Sequence, residues 1–362
     1  QKAKKMGFHV TILDPTLNCP AAQVSDRQII GGFYDKEKLT QLVKKCDITT
    51  FELEHIDTQV LKELYDADYR IFPSPYVMEL IQDKYEQKKL LDEKGIPVPK
   101  YKNVQTKEDL ESFGLPVIQK TKKGGYDGKG VMLLRTKEDL ENCIKVESFI
   151  EELVDIEKEL AIIVARNIEG EIAAYPVVEM LFDERVNICD IVMAPAKIDK
   201  DLNEKVKQIA IKSIEVLDGV GIFGIELFLT KQGEILVNEI APRPHNSGHY
   251  TVESCATSQF EQIIRAVTNL PLGSTKLISP SVMVNLLGEE GYEGEPFIEG
   301  IHDALEIPEL SFHFYGKKET KPFRKMGHIT VLDDNLDIAL KKALKAKDIL
   351  KIKGSKKIWK NH

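Results

Sequence analysis

The chain has 362 residues, 42% hydrophobic and 30% charged, with a formal net charge of −8; this is a globular composition spread over more length than one compact core usually takes. The acidic balance excludes a general nucleic-acid surface, and no uninterrupted apolar run is long enough for a membrane-spanning helix. Five scattered cysteines, Cys19, Cys46, Cys143, Cys189 and Cys255, lack metal-ligand spacing and suit a reduced cytoplasmic protein; the chain as given opens without a secretory leader.

"QKAKKMGFHVTILDP" reads as the tail of a helix, a glycine stop at Gly7, and a strand from Phe8 to Leu13 that ends at Asp14. A strand closing on an acidic residue suits the second strand of a dinucleotide-type fold, but no glycine-rich turn precedes it. The expectation is a strand–helix–strand unit entered after its first strand. Helical patterns at 35–45 and 57–67 alternate with "DITTFELE" and "YRIF" and predict a Rossmann-like parallel α/β domain over 1–80. After Pro73 and Pro75 one helix is expected to run to a cap at Gly95.

Residues 81–154 then read as a small lobe, with strands "LPVIQK" and "GVMLL" around a mobile glycine-rich tip, a helix over 136–145, and "SFIEELV". Over 155–362 the strands lengthen: "KELAIIVARN", "EIAAYPVVEM" and "DIVMAPAKI" precede a helix over 201–218 with Val206, Ile209, Ala210, Ile214 and Leu217 on one face. A hairpin of "FGIELFLT" and "EILVNEI" follows. "PSVMVNLL", "LSFHFYG" and "GHITVL" are later strands, a helix spans about 335–350, and the basic tail "KIKGSKKIWKNH" is expected to fray.

Two features of this frame carry chemistry. The tip "KTKKGGYDGKG" packs four lysines and four glycines into residues 120–130. It is not a Walker A loop, because Lys129 precedes glycine and strands flank it. Glycine lets backbone N–H groups approach phosphate oxygens, and Lys120 at the strand end could reach a phosphate from below; a solvated surface hairpin is the bland alternative.

The second feature is a carboxylate pair. A two-residue turn at Gln232-Gly233 would set Glu226 opposite Glu239 on one face. Like charges so placed repel, and a divalent cation between them reverses the sign; two solvated glutamates on an outer face is the competing reading. "NEIAPRPHNSGH" next lays Arg243, His245, Asn246, Ser247 and His249 on a loop stiffened by Pro242 and Pro244, a donor-rich loop suited to an anion or polar substrate.

Together, "GGYDGKG", "NEIAPRPHNSGH" and "YGKKETKPFRKMGH" resemble the ATP-grasp enzymes and, within them, the 5-(carboxyamino)imidazole ribonucleotide synthase family of purine biosynthesis, from about residue 8 to about residue 350. The resemblance implies an α/β (α+β) ATP-grasp fold with an N-terminal Rossmann-like domain, a small central lobe and a larger C-terminal lobe. It implies ATP held by Lys84, Lys120, the loop Gly124, Gly125, Tyr126, Asp127, Gly128, Lys129 and Gly130, the adenine hinge Glu151, Glu152, Leu153 and Val154, the ribose ligand Glu159, and Asn238 with Glu239. It implies Mg²⁺, with Mn²⁺ as a substitute, on Glu226 and Glu239. Tyr126, Asp127, Arg243, His245, Asn246, Ser247, Lys317 and Arg324 are implied for bicarbonate and the ribonucleotide, with Lys317 and Arg324 straddling a turn to converge on its phosphate. Arg243, His245, Tyr126, Asp127 and Lys120 are the implied catalytic group.

The implied reaction is ATP- and bicarbonate-dependent carboxylation of aminoimidazole ribonucleotide through carboxyphosphate, by a cytoplasmic homodimer with no nucleic-acid or membrane partner. Some family members carry a nucleotide-contacting histidine after "VVE", where this chain has Phe182 and Asp183, so no role transfers there. Two alternatives stay open: a formate-dependent glycinamide ribonucleotide transformylase, which shares an "APRPH"-like loop, and an ATP-binding module without catalysis.

Overall fold

The computed structural model describes residues 1–125, 130–183 and 185–358. At the N-terminus the strands Thr11–Asp14 and Arg27–Ile30 pair in parallel, and a single parallel bridge joins Thr49 to Ile71. "DITTFELE" and "YRIF" therefore contribute one bridge rather than two strands. Helices Lys36–Lys45 and Thr58–Tyr65 are capped by Asp35 and Asp57, and they close a core of Leu39, Val43, Leu61, Leu64, Ile71 and Met78.

The helix expected from Pro75 to Gly95 is two helices, Pro75–Gln82 and Lys84–Glu93. Asp83 causes the break. Its backbone leaves the helical region at φ −102°, ψ 100°, and its carboxylate accepts from the N–H groups of Tyr85 and Glu86, so it ends one helix and caps the next. Ile81, Leu91 and Ile96 pack into the core of the large sheet.

A four-stranded antiparallel sheet follows, in the order Tyr101–Val104, Ser148–Glu152, Val117–Thr121, Val131–Leu134. The predicted 136–145 helix is a 3₁₀ turn over Glu138–Asn142. The expectations for Tyr126, Asp127, Gly128 and Lys129, and for the mobile tip they form, lie outside the described residues.

The centre of the molecule is a nine-stranded sheet. Its order is Ile235–Ala241, Gly221–Thr230, Ile156–Arg166, Val178–Asp183, Ile188–Ala194, Ser281–Leu287, Lys325–Leu332, Leu310–Phe314, with Ile172–Ala174 paired to Ile156–Arg166. "EIAAYPVVEM" is thus split into two strands around Tyr175–Val177. Helix Lys200–Leu217 covers one face through Val206, Ala210, Ile214 and Leu217, and helix Gln259–Val267 covers the other through Ile263 and Val267. Helix Leu336–Ile349 packs on the far strands through alanines 339, 343 and 346.

The tail does not fray over its first turn of sequence. Lys351–Lys357 pairs antiparallel with Tyr292–Glu299, and Ile352 is buried. Lys356 and Lys351 stand opposite Glu293 and Glu299, and Lys353 Nζ reaches Glu299 at 2.6 Å, a cross-strand charge match that composition alone conceals.

Candidate active site

The Glu226–Glu239 pairing is observed, by a different route from the one expected. The turn holds three residues rather than two, because Thr230 N–H bonds Glu234 O around Lys231, Gln232 and Gly233, and this shifts the nearby pairs, such as Leu227–Val237, by one residue. Gly233 takes φ +79°, the left-handed position that a three-residue hairpin loop requires. A bulge then lets Asn238 stand as an extra residue between the pairs Leu227–Val237 and Glu226–Glu239. Val237 and Ile240 both point into the core, so Asn238 and Glu239 together face the opposite side.

Lys84 and Asn238 meet this pair, and Lys120 and Lys88 extend the network beyond it. Lys84, first residue of its helix, sets Nζ 2.5 Å from Glu239 Oε2. Lys120 Nζ lies 3.0 Å from Asn238 Oδ1 and 2.7 Å from Glu151 Oε2. Lys88 Nζ lies 2.8 Å from the other oxygen of Glu151, and both side chains are 3% exposed. Asn238 Nδ2 donates to Glu226 Oε2 at 3.4 Å. One polar network therefore runs from Lys88 through Glu151, Lys120 and Asn238 to Glu226, and Lys84 of the same helix as Lys88 pairs with the neighbouring Glu239. Lys88 escaped the sequence reading, although its i, i+4 spacing from Lys84 places both on one helix face.

The electrostatics separate the two carboxylates. Burial, the Glu239 charge and the Glu159 charge push Glu226 up to about 7. Burial also acts on Glu239, but the Lys84 ammonium overrides it and holds that carboxyl below its ordinary value. Glu159, on the adjacent strand, is raised to about 7 by burial against the pull of Lys120. Among the described residues no group of three His, Cys, Asp or Glu side chains converges on one metal position. The two carboxylates by themselves fit Mg²⁺, which takes one or two carboxylates and completes its octahedron from phosphates and water.

Past the pair, the chain turns into the donor loop. His245 sits against Gly224, where a Cβ would fall 2.4 Å from the His245 Cβ. Its Nδ1 accepts from Ser247 N–H and meets Ser247 Oγ at 2.8 Å, which turns the Nε2–H toward Glu226 Oε1 at 3.5 Å. Burial and the charges of Arg243 and Lys325 keep this imidazole neutral, well below its usual range. Arg243 reaches across to the N-terminal domain: Nε lies 2.8 Å from Glu54 Oε1, and NH1 donates to Pro244 O. Asn246 exchanges two amide hydrogen bonds with Asn285, a residue the sequence did not flag.

The residues expected to form the hinge divide. Glu151 turns its side chain inward to the two lysines, Glu152 accepts from Lys100 N–H, and Leu153 is exposed. On the last hairpin, Lys317 Nζ donates to Lys325 O, and Arg324 NH1 donates to Glu319 O. Both are thus engaged with their own turn, while Lys325 is the basic side chain whose field reaches Glu226 and His245.

Known proteins resemble this chain over most of its length. Residues 1–82 match the ribonucleotide synthetase preATP-grasp domain, 89–260 the ATP-grasp domain, and 281–342 the phosphoribosylaminoimidazole carboxylase C-terminal domain. The N5-carboxyaminoimidazole ribonucleotide synthase of Bacillus subtilis (strain 168) is 39% identical over 91% of this chain and 87% of its own length. The chloroplastic phosphoribosylaminoimidazole carboxylase of Vigna aconitifolia is 38% identical over 93% of this chain, which spans only 62% of that longer relative. Among solved structures, N5-carboxyaminoimidazole ribonucleotide synthetase from Thermotoga maritima is 59% identical with a TM-score of 0.93, covering 98% of this chain and 95% of that one. The N5-carboxyaminoimidazole synthase from Aspergillus clavatus, solved with ADP and 5-aminoimidazole ribonucleotide, has a TM-score of 0.87 at 34% identity, covering 96% of this chain and 94% of that one.

Proposed function

Because the chain belongs to the N5-carboxyaminoimidazole ribonucleotide synthase family of ATP-grasp ligases, we propose that it carboxylates 5-aminoimidazole ribonucleotide with ATP and bicarbonate. The observation that carries this reading is the polar network joining Lys84, Lys120 and Glu151 to Asn238, Glu226 and Glu239. ATP lies between the lobes, with Lys84, Lys120 and the 124–130 loop on its phosphates, the 151–154 hinge on the base, and Glu159 on the ribose. Glu226 and Glu239 would hold Mg²⁺, whose charge, when bound, offsets that of the phosphates.

Bicarbonate attacks the γ-phosphorus, giving carboxyphosphate and ADP. The carboxyl group then passes to the exocyclic amine of the ribonucleotide, releasing phosphate and a proton. The work of the chain is positioning and charge neutralisation. With Nε fixed by Glu54 and NH1 by Pro244 O, Arg243 offers a fork in a set orientation for bicarbonate. His245, Asn246 and Ser247, with Lys317 and Arg324, serve the ribonucleotide. Tyr126 and Asp127, which lie outside the described residues, are assigned with this group to bicarbonate and the ribonucleotide. The reaction is assigned to a homodimer in the cytoplasm.

Arg243→Ala is expected to bind ATP normally and to lose ribonucleotide-dependent phosphate release by at least about 100-fold, the scale of one removed transition-state donor. Calorimetry with ATP and a phosphate-release assay with and without the ribonucleotide check it. Undiminished coupled turnover in that variant removes Arg243 from the bicarbonate site. Phosphate release with glycinamide ribonucleotide plus formate, in place of aminoimidazole ribonucleotide plus bicarbonate, overturns the whole reading.

A further inference from the structure

Gln259 opens the helix Gln259–Val267 and is completely buried. Its carboxamide is used at three points. Oε1 accepts from His245 N–H at 2.9 Å, Nε2 donates to His245 O at 2.9 Å, and Nε2 lies 3.0 Å from His249 Nδ1. The two backbone bonds set the amide orientation without ambiguity, since a flipped amide would face N–H with NH₂ and C=O with C=O. Both hydrogens of the NH₂ group are then committed, so His249 Nδ1 must accept, and the ring proton resides on Nε2.

The surroundings are shaped for this contact. A Cβ at Gly248 would fall 2.4 Å from Gln259 Oε1, so glycine there makes room for the amide. Thr251 Oγ1 accepts from Gln259 N–H and donates to Gly248 O, tying the helix start to the loop a second time. His249 packs against the rings of Phe260, Tyr315 and His328, and the positive charges of Lys325 and Arg243 bear on it.

We propose that Gln259 is a positioning residue for the reaction: its buried carboxamide registers the His245 main chain and fixes His249 as the neutral Nε2–H tautomer, so the donor loop offers the substrate one defined pattern of hydrogen-bond donors. This rests on the reading of that loop as the ribonucleotide site. No substrate contact is required of Gln259; it acts through the two histidines.

The test combines ¹⁵N spectroscopy of histidine-labelled full-length protein with steady-state kinetics. In the unaltered protein at neutral pH, the His249 resonances should report a neutral ring protonated on Nε2; a proton on Nδ1 or an imidazolium overturns the proposal without any variant. Gln259→Glu keeps the acceptor for His245 N–H and removes both donors. It should move the His249 proton to Nδ1 or charge the ring, and raise KM for the ribonucleotide about tenfold, the scale of one buried hydrogen bond, with KM for ATP unchanged. A folded Gln259→Glu protein with the original His249 tautomer and an unchanged ribonucleotide KM refutes it. If that variant does not fold, the spectrum of the unaltered protein decides. A normal spectrum combined with no ribonucleotide-dependent turnover in the unaltered protein would instead strike at the substrate assignment and leave the tautomer lock standing.

Discussion

At the scale of single residues, the site holds carboxylates of similar burial in different states, and the neighbours explain it. Glu239 has the Lys84 ammonium at 2.5 Å and stays ionised, while Glu226 has an amide at 3.4 Å and is raised to about 7. A carboxyl raised above its unfolded value costs stability where the folded site must ionise. The cost is fully present above pH 7, shrinks as pH falls from 7 toward 4.5, and vanishes below. Glu226→Gln should therefore stabilise the ligand-free protein at pH 8, by on the order of 3 kcal/mol at most, while abolishing turnover. Thermal melts of both proteins across pH 4.5–8 check this, and a gain that persists undiminished at the acid end contradicts it. The same comparison explains why Lys88 and Glu151, both 3% exposed, tolerate burial: each is the counterion of the other, and Lys120 supplies the second positive charge.

At the scale of elements, small irregularities set the chemistry. The bulge at Asn238 turns two consecutive residues to the site while Val237 and Ile240 stay in the core, which a regular period-2 strand cannot do. The three-residue turn and the bulge offset one another, so a turn shorter by one residue would have given the same Glu226–Glu239 pair. The helix break at Asp83 is the second such device, because it starts a new helix at Lys84 and so aims that side chain at Glu239. Asp83→Ala should lose about 1 kcal/mol of stability, as removal of an N-cap does. Turnover should fall further than stability, since Lys84 loses its fixed origin. Chemical denaturation beside kcat/KM tests the pair, and a proportionate small loss in both would reduce Asp83 to a simple cap.

At the scale of the whole molecule, the site is assembled from parts far apart in sequence. Glu54 of the N-terminal domain meets Arg243 of the donor loop, and Lys120 of the four-stranded sheet meets Asn238 of the nine-stranded one. A ligand that binds only the assembled form should stabilise it by mass action, by about 2.7 kcal/mol at a hundredfold excess over Kd. Melting with saturating ATP should show that gain, and Lys120→Met should remove most of it. Glu54→Ala should leave the ATP-induced shift intact and raise KM for bicarbonate, since only the orientation of Arg243 changes; loss of the ATP shift would mean the domain contact carries the lobes as well.

Part of this was legible in the chain itself: most of the long strands and helices, the Glu226–Glu239 pair and the donor loop follow from local pattern, because hydrophobic period, prolines and glycines act over a few residues, whereas the helix break at Asp83 and the 3₁₀ turn at Glu138–Asn142 did not show. The missed partners, Lys88, Glu54, Asn285 and Gln259, are ordinary residues by local pattern, and only the packing of distant segments gives them neighbours. The same holds for the Lys351–Lys357 strand, which looks like a frayed basic tail until Tyr292–Glu299 supplies its acidic partner. Local sequence determined which backbone shapes and reactive side chains exist; the tertiary structure decided which charges face each other, because electrostatic and hydrogen-bond energies depend on distances that the chain order does not contain.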